Sequence, residues 1–417
     1  QLGISSWHEA DILGAGVNIA VIDNGFQSPA GIGAEQTCYG SNNVLQPNGA
    51  AGGAVGSSSR GRSISELLCD IAPQADVWMY SANTLSEVAT AINTARAGVP
   101  AQNFPPADII LITLNPNSTN SALQTAVADA FNNNVPVIAS AGNNKSSITF
   151  SVPAGGVSLL TISAWAGDVI TITPTVLGNP TTMQQINGWY SSSNAGTIPH
   201  AYVIGNECGS GSEGCTVELS IDHIYADTYT VTSNNPNALI IPDATITTDP
   251  NASQLIDYTE SAYVLSVGAV CGTQEGRFPL TFTSPLGEAN QPNTAQVKPD
   301  LVAPSHINTS FTDTPEVSLQ EGVYTCGYGF GGTSASATHI AGMAALIMSN
   351  PNMSGIYESS SDVPWQLFAY LKSRAIDVGG DGFDRAYGAG VAQLGNPNFM
   401  LSDEILPTEL PDMGGIT

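Results

Sequence analysis

Val17-Asn-Ile-Ala-Val-Ile-Asp-Asn-Gly25 is the stretch that decides the fold of this chain. Its first six residues are mostly β-branched or otherwise apolar, which is typical of a strand buried on both faces of a parallel sheet. Asp23 and then Asn-Gly follow at once, so the strand is predicted to end in a turn. Open α/β sheets place their functional sites at the carboxyl ends of their strands. Asp23 is therefore a candidate site residue.

Strand-like and helix-like patterns continue to alternate along the chain, most clearly in its first third. Apolar strand-like runs lie at 77–80, 109–114, 135–140 and 262–270. The two segments that separate the first three of these runs have helical periodicity. The small apolar residues from Ser334 to Met348 predict a buried helix. We therefore predict an α/β fold with a doubly wound, mostly parallel sheet.

The composition changes in the middle of the chain. Between about 147 and 255, Thr, Val and Ile alternate and are interrupted by Gly, Asn and Pro without helical periodicity. This pattern predicts an antiparallel β-rich module inserted into the α/β domain. The expected organisation is a first part of the α/β domain over 1–146, the module over 147–255, a second part over 256–400, and an irregular tail over 401–417.

Charge and composition restrict the partners of the protein. The 417 residues include nine Lys and Arg against 35 Asp and Glu, a formal net charge of −26. Such a surface repels nucleic acid and anionic membranes, and no stretch approaches the roughly 20 apolar residues of a membrane span. Only 11% of the residues are charged, so Ser, Thr, Asn and Gly must cover much of the surface. We expect a secreted, extracellular protein whose partners are proteins or peptides, including further copies of itself as a homo-oligomer.

Six cysteines form an even set without a C-x-x-C pair, which argues against zinc and for three disulfides. Cys208 and Cys215 flank a Gly/Ser-rich turn and are the most direct candidate pair. The other candidate pairs are Cys38 with Cys69 and Cys271 with Cys326. The sequence does not decide the connectivity, and buried free thiols remain the alternative interpretation.

One acidic turn is a candidate metal site. Asp377, Asp381 and Asp384 lie in a Gly-rich segment, and carboxylate oxygens are the ligands that Ca²⁺ prefers. A solvated acidic loop is the alternative interpretation of the same residues. No cofactor is expected to be required, because no phosphate-binding loop and no nucleic-acid motif occur in the sequence.

Two further residues could complete a hydrolytic site with Asp23. Ser334 follows Gly331-Gly-Thr and opens the small-residue helix, where the helix dipole stabilises negative charge. Asn143 follows a strand and a glycine, so its side-chain amide could donate to an oxyanion. A serine nucleophile needs such donors, a base within hydrogen-bond reach, and a carboxylate that orients the base. A helix N-cap serine and ordinary turn residues remain alternatives.

Taken together, these residues in this order resemble the subtilisin-like serine proteases, the subtilase family. The resemblance is carried by segments at 14–23, 107–114, 263–269, 297–304, 332–334 and 384–390. It implies a subtilisin-like fold and a serine endopeptidase site in which Asp23 and Ser334 are catalytic and Asn143 donates to the oxyanion. It also implies a substrate cleft lined by Thr113, Leu114 and Asn115.

One member of the family's catalytic triad is missing. In the family, a His-Gly-Thr motif leads into a helix that ends Asp-Ile-Ala-Pro, and that ending is present here as Asp70-Ile-Ala-Pro73. Counting back from it places Arg60 at the histidine position and Arg62 at the threonine position, and no histidine lies between His8 and His200. A guanidinium stays protonated at ordinary pH, so Arg60 cannot accept the serine proton.

Four other side chains are candidates for a substitute base. The alternatives are Glu66, His200, His223 and His306. Helix geometry places Glu66 about 240° around and about 9 Å along the helix from Arg60, so Glu66 is expected to face elsewhere, as a helix-surface or helix-end residue. The three histidines are expected on the surface or in loops, and His339 is expected to pack within the serine helix.

Three functional hypotheses follow. The first is a secreted pseudoprotease, a structural, assembly or binding protein on a protease fold, in which Arg60 forms an ion pair with the buried Asp23 carboxylate. The second is an active subtilisin-like endopeptidase with a substitute base. The third is a subunit of an extracellular surface layer or filament, suggested by the low charge density and the β-rich insertion. Asn115 replaces a glycine and Thr338 a proline usual in the family, and both favour the first hypothesis, with weak or absent activity.

Overall fold

A computed structural model of the chain describes residues 2–26, 60–100, 104–114, 121–142, 261–272, 298–309, 329–353, 362–379 and 381–398, with isolated positions at 259, 278, 280–281, 284–285 and 287. For the strands at 44–45 and between 147 and 247, the backbone alone is described. The chain divides into two compact units, one comprising 1–143, 255–287 and 291–417 and the other 144–254 and 288–290.

The larger unit contains one parallel sheet and its helices. Its strands are β1 (Asn18–Asp23), β2 (Val44–Leu45), β3 (Asp76–Ser81), β4 (Ile109–Ile112), β5 (Val137–Ser140), β13 (Val264–Cys271) and β14 (Leu301–Ser305). Its helices are α1 (Ile4–Glu9), α2 (Arg60–Ile71), α3 (Leu85–Ala97), α4 (Ser121–Asn132), α5 (Gly332–Ser349) and α6 (Val363–Ser373), and a 3₁₀ turn spans Pro351–Met353.

The strands lie in the order β14-β13-β5-β4-β1-β3-β2, and every pairing in this sheet is parallel. β1 is therefore central, with Ile19 paired to Val77 of β3 on one side and to Ile109 of β4 on the other. The predicted α/β class is confirmed. Because the strands are parallel, the carboxyl ends of β1 and β4 meet at one edge of the sheet, which brings Asp23 close to Thr113.

Both faces of the sheet are covered by helices, which explains why β1 is apolar on both sides. Ile19 and Val21 belong to a core cluster shared with α2 and α5, whereas Ala20 and Ile22 belong to a cluster shared with α3 and α4. All four side chains are fully buried. Such two-sided burial is what a continuous apolar strand predicts.

Helix α5 is buried along almost its whole length, from Gly332 to Ile347, as expected for a helix that is apolar all round. It packs closely on α2, because a Cβ atom at Gly342 would lie 2.6 Å from Cγ2 of Ile71. Any larger residue at this position would separate the two helices. Gly342 thus sets the spacing between the helix that begins with Arg60 and the helix that carries Ser334.

The smaller unit consists of antiparallel strands. One sheet has the order β6-β10-β8 and the other the order β12-β11-β7-β9. The strands are β6 (Ser147–Val152), β7 (Ser158–Ala164), β8 (Thr171–Leu177), β9 (Ile198–Ile204), β10 (Cys215–Asp222), β11 (Thr228–Ser233) and β12 (Thr245–Thr247). The domain boundaries expected from composition stay a prediction.

Two of the six cysteines lie among residues whose side chains are described. Cys69 in α2 and Cys271 at the end of β13 are both buried, and neither is a free thiol. The side chains of the other four, Cys38, Cys208, Cys215 and Cys326, lie outside the described residues. The number of disulfides and their connectivity therefore stay a prediction. Among the helices that the structure describes, none is long and apolar enough to cross a membrane.

Candidate active site

The centre of the candidate site is the Asp23 carboxylate, which is fully buried at the carboxyl end of β1. Its Oδ2 accepts a hydrogen bond of 2.6 Å from Oγ1 of Thr113, and its Oδ1 accepts one of 3.3 Å from the Gly25 amide. Burial raises the pKa of Asp23, and the Arg60 charge and these hydrogen bonds only partly offset that rise. The ionised carboxylate therefore costs free energy in the folded protein.

Ser334 is the third residue of α5, and its hydroxyl is buried beside the same edge of the sheet. Its Oγ accepts a hydrogen bond of 2.5 Å from Nη2 of Arg60 and donates one of 3.2 Å to the carbonyl oxygen of Thr113. The helix begins after Gly331, which offers no side-chain cap. The hydroxyl of the serine is thus bonded to a cation on one side and to a backbone carbonyl on the other.

Arg60 reaches Ser334 because α2 begins directly against the turn that follows β1. The Gly61 amide donates a hydrogen bond of 2.9 Å to the Gly25 carbonyl. A Cβ atom at Gly61 would collide with the ring of Phe26 and lie 2.5 Å from that same carbonyl oxygen. The absence of a side chain at Gly61 therefore lets the first turn of α2 lie beside Asp23, and Arg60 projects from that turn as a half-buried residue.

Arg62 has a different partner from Arg60. Its Nε forms an ion pair of 3.0 Å with Oε1 of Glu66, one turn further along α2. Glu66 is 2% exposed, so the expectation that it lies on the helix surface is wrong. A buried carboxylate needs a cation or hydrogen-bond donors, and Arg62 supplies the charge. Arg60 thus contacts Ser334 beside Asp23, whereas Arg62 pairs with Glu66.

His306, one of the candidate substitute bases, lies against Gly331 at the start of α5. It lies in the loop directly after β14, one of the two placements expected for it, but it is only 6% exposed, and its Nδ1 lies 2.9 Å from Oγ of Ser305. A Cβ atom at Gly331 would lie 2.5 Å from Nε2 of His306. The burial of His306 therefore depends on Gly331, because only glycine at this position leaves room for the imidazole.

The other histidines are His339 in α5, His8 near the N-terminus, and two whose side chains the structure does not describe. His339 is buried in α5, where its Nδ1 lies 3.0 Å from the Ala335 carbonyl oxygen. Burial lowers the pKa of His339 to about 4, so the ring is neutral at pH 7, as suits a packing residue. The side chains of His200 and His223 are outside the described residues.

The predicted cleft and oxyanion residues are only partly described. Thr113 is buried immediately after β4 and Leu114 is half-buried, whereas Asn115 and Asn143 lie outside the described residues. Oγ1 of Thr333 donates a hydrogen bond of 2.8 Å to the Gly142 carbonyl. The backbone just before Asn143 is therefore tied to the first turn of α5.

The acidic turn proposed for calcium makes hydrogen bonds within itself. It contains Asp377, Asp381 and Asp384. Asp377 accepts the Gly382 amide at 2.9 Å, and Asp384 accepts the amides of Ala386 and Tyr387 at 2.7 and 2.8 Å. In the part of the chain with described side chains, no group of three or more His, Cys, Asp or Glu residues could hold a metal ion. The calcium site stays a prediction that these contacts do not support.

Replacing Asp23 with asparagine is expected to stabilise the protein increasingly as the pH rises from about 4 to 7. The raised pKa of Asp23 means that the folded state holds this proton more tightly than the unfolded state. Its contribution to the free energy of unfolding therefore falls as the pH rises above the unfolded value and levels off above the folded value. Asparagine does not titrate, so the variant escapes this loss.

Urea unfolding of the wild type and of Asp23→Asn at several pH values would measure the effect. Asp11→Asn is the matched control, because Asp11 is exposed. A stability difference between Asp23→Asn and wild type that is constant from pH 4 to 7 would contradict the prediction.

Solved structures with a similar fold include an S41 psychrophilic protease (18% identity, 92% of each chain covered, TM-score 0.48). They also include the CspB protease of Clostridium perfringens (14% identity, 93% of this chain and 94% of that chain, TM-score 0.48) and Sphericase (19% identity, 94% and 97%, TM-score 0.46). No protein with curated function matches the chain at a significant level.

The family assignment rests on a match over most of the sequence. The profile described as the Subtilase family matches residues 14–390, a range that includes β1 with Asp23 and the start of α5 with Ser334. The parallel sheet brings these two residues to the same edge, as the resemblance implied. The chain therefore belongs to the subtilase family.

Proposed function

We propose that this protein is a secreted pseudoprotease, a subtilase-fold protein that does not cleave peptide bonds and serves a structural, assembly or binding role. The observation that carries the proposal is the hydrogen bond of 2.5 Å from Nη2 of Arg60 to Oγ of Ser334. It places an obligate donor where the catalytic mechanism requires an acceptor.

The chemistry of that contact opposes nucleophilic attack. A serine attacks a carbonyl only when a base removes its proton, and a guanidinium stays protonated at any ordinary pH. The Ser334 proton is donated to the Thr113 carbonyl, which is not a base at neutral pH. Loss of one triad member leaves at most roughly 10³- to 10⁴-fold acceleration over water, from the oxyanion hole and binding alone.

His306 favours one alternative, an active endopeptidase with a substitute base. Its imidazole is buried against Gly331, three residues before Ser334. The side chain bonded to the serine hydroxyl, however, is that of Arg60. An active endopeptidase with His306 as its base is therefore the second candidate function, and variants of His306 and Arg60 distinguish it from the first.

A fluorophosphonate probe, together with turnover of a general protein substrate, tests the proposal. Wild-type protein is expected to label no faster than about the rate of a non-catalytic serine and to release no peptides, with Ser334→Ala as the control. Prompt labelling that Ser334→Ala abolishes would overturn the pseudoprotease assignment. If His306→Gln then removed that labelling and Arg60→Gln did not, His306 would be the substitute base.

We propose that association with other proteins, including copies of itself, is the role of this protein in place of proteolysis. The charged fraction of only 11% and the antiparallel β-rich unit support an extracellular protein that associates with other proteins, including its own copies, although the net charge of −26 opposes close contact between copies. Sedimentation velocity across a range of concentrations and calcium levels would test self-assembly. A monomer under all these conditions would argue against a surface-layer or filament subunit.

A further inference from the structure

Thr113 contacts both functional side chains of the site through different groups. It is fully buried immediately after β4. Its Oγ1 donates to Oδ2 of Asp23 at 2.6 Å, and its carbonyl oxygen accepts the Ser334 hydroxyl at 3.2 Å. One residue therefore connects the carboxylate from β1 with the hydroxyl from α5.

The Thr113 hydroxyl has two acceptors within reach but only one proton. Ile22 O lies at 3.3 Å and Asp23 Oδ2 at 2.6 Å. The shorter contact ends on a carboxylate, and charge-assisted bonds of this length are about twice as strong as neutral ones. The Thr113 hydroxyl therefore donates its proton in a hydrogen bond to Asp23 Oδ2 rather than to Ile22 O. The backbone hydrogen bond to this carboxylate from Gly25 is longer at 3.3 Å.

We propose that Thr113 is the positioning residue of this site, whose side chain orients the Asp23 carboxylate and whose carbonyl orients the Ser334 hydroxyl without a histidine between them. The backbone of Thr113 is itself held by β1, because its amide donates to Ile22 O at 3.2 Å. The inference rests on the proposed function for the identity of the site. It adds that the loss of the base left the relative placement of carboxylate and serine intact.

The hydroxyl, rather than the volume, of Thr113 is the feature under test. Thr113→Ser and Thr113→Ala are a matched pair, because both remove the methyl group and only the serine keeps the donor. Thr113→Val is the second probe, since it keeps the shape of the side chain and loses the hydroxyl. Purely structural packing would make the alanine and serine variants alike and leave the valine variant close to wild type.

The first measurement is the titration of the Asp23 carboxyl carbon by NMR in protein with ¹³C-labelled aspartate, assigned with Asp23→Asn. Thr113→Ala and Thr113→Val are expected to raise the pKa of Asp23, because the ionised form loses its closest donor. Thr113→Ser is expected to leave it near the wild-type value. Equal titration in the serine and alanine variants would overturn the proposal. This readout needs no reactive serine, so it stands whether or not the pseudoprotease assignment holds.

The second measurement uses the Arg60→His background and the fluorophosphonate probe. Adding Thr113→Ala is expected to slow labelling of Ser334 by about tenfold or more, the effect of losing one hydrogen bond to a charged group. Adding Thr113→Ser is expected to restore most of the rate. Similar rates for the two double variants would count against a positioning role. Prompt labelling of the wild type would instead overturn the proposed function and leave the NMR result to decide about Thr113.

Discussion

Replacement of Arg60 by histidine is expected to raise the rate at which Ser334 reacts with a fluorophosphonate by about 10²- to 10⁴-fold, the usual contribution of a positioned general base. The other parts of the site already have partners that do not depend on Arg60. Asp23 is held by Thr113 and Gly25, and the first turn of α2 is held against the turn after β1 by Gly61. An imidazole at position 60 would therefore project from the same first turn of α2 that now brings the Arg60 guanidinium to Ser334.

Arg62 does not obstruct an imidazole at position 60. Its side chain runs along α2 to the buried Glu66. A single substitution is therefore expected to suffice for serine reactivity. The labelling rate of Arg60→His should rise with pH as the imidazole loses its proton, near the usual histidine pKa of about 6.5.

Arg60→Gln is the matched control, since it removes the cation without adding a base. It is expected to stay close to the wild-type rate, and Arg60→His combined with Ser334→Ala is expected to be unlabelled. If Arg60→His and Arg60→Gln label equally slowly, then α2 does not bring residue 60 into the geometry of a base. In that case the loss of activity would extend beyond the missing histidine.

Replacement of Asp300 by asparagine is expected to lower the free energy of unfolding by about 3 to 5 kcal/mol, the usual cost of breaking a buried ion pair on one side. Asp300 is buried between two lysines, with Lys298 Nζ at 2.5 Å and Lys372 Nζ at 3.2 Å. Burial by itself would raise the pKa of Asp300, but the charges of both lysines and a bond from Ser266 bring it below its usual value. The carboxylate is therefore ionised at pH 7.

The large effect comes from the lysine that the substitution would leave behind. Lys298 is 4% exposed, and burial lowers its pKa although Asp300 opposes that shift. Asparagine cannot neutralise it, so an uncompensated ammonium would remain in the interior. Lys372→Gln is the control, because Lys372 is more exposed and Lys298 would still neutralise Asp300. Chemical denaturation of both variants measures the difference, and equal small losses would show that Asp300 is not the centre of this cluster.

The elements that sequence analysis located well are those whose apolar pattern is continuous. The predicted strand at 17–22 corresponds to β1 at Asn18–Asp23, and the predicted helix from Ser334 to Met348 corresponds to α5 at Gly332–Ser349. Both are buried on all sides, so every position carries the same signal. The Asp-Ile-Ala-Pro ending also located α2, although the helix begins at Arg60 itself, a residue that was expected in the motif leading into it.

Glu66 and His306 show where such reasoning stops. Glu66 was expected at the helix surface or helix end and His306 at the surface or in a loop. Both are buried, although His306 does lie in the loop after β14. Their burial depends on neighbours from elsewhere in the fold, since α2 is covered by α5 and the His306 ring occupies the space left by Gly331. A helical wheel or a local pattern contains no information about such neighbours.

The sequence by itself predicted the alternation of strands and helices and named Asp23, Ser334 and Arg60 as the residues on which the site would depend. These properties follow from local patterns and from chain order. Only the tertiary structure decided that Arg60 donates to Ser334, 274 positions away, and that Thr113 joins the serine to Asp23. Such contacts depend on the close packing of α2 against α5 and on the meeting of strand ends at one sheet edge. They are set by distances through space, which no spacing along the chain contains.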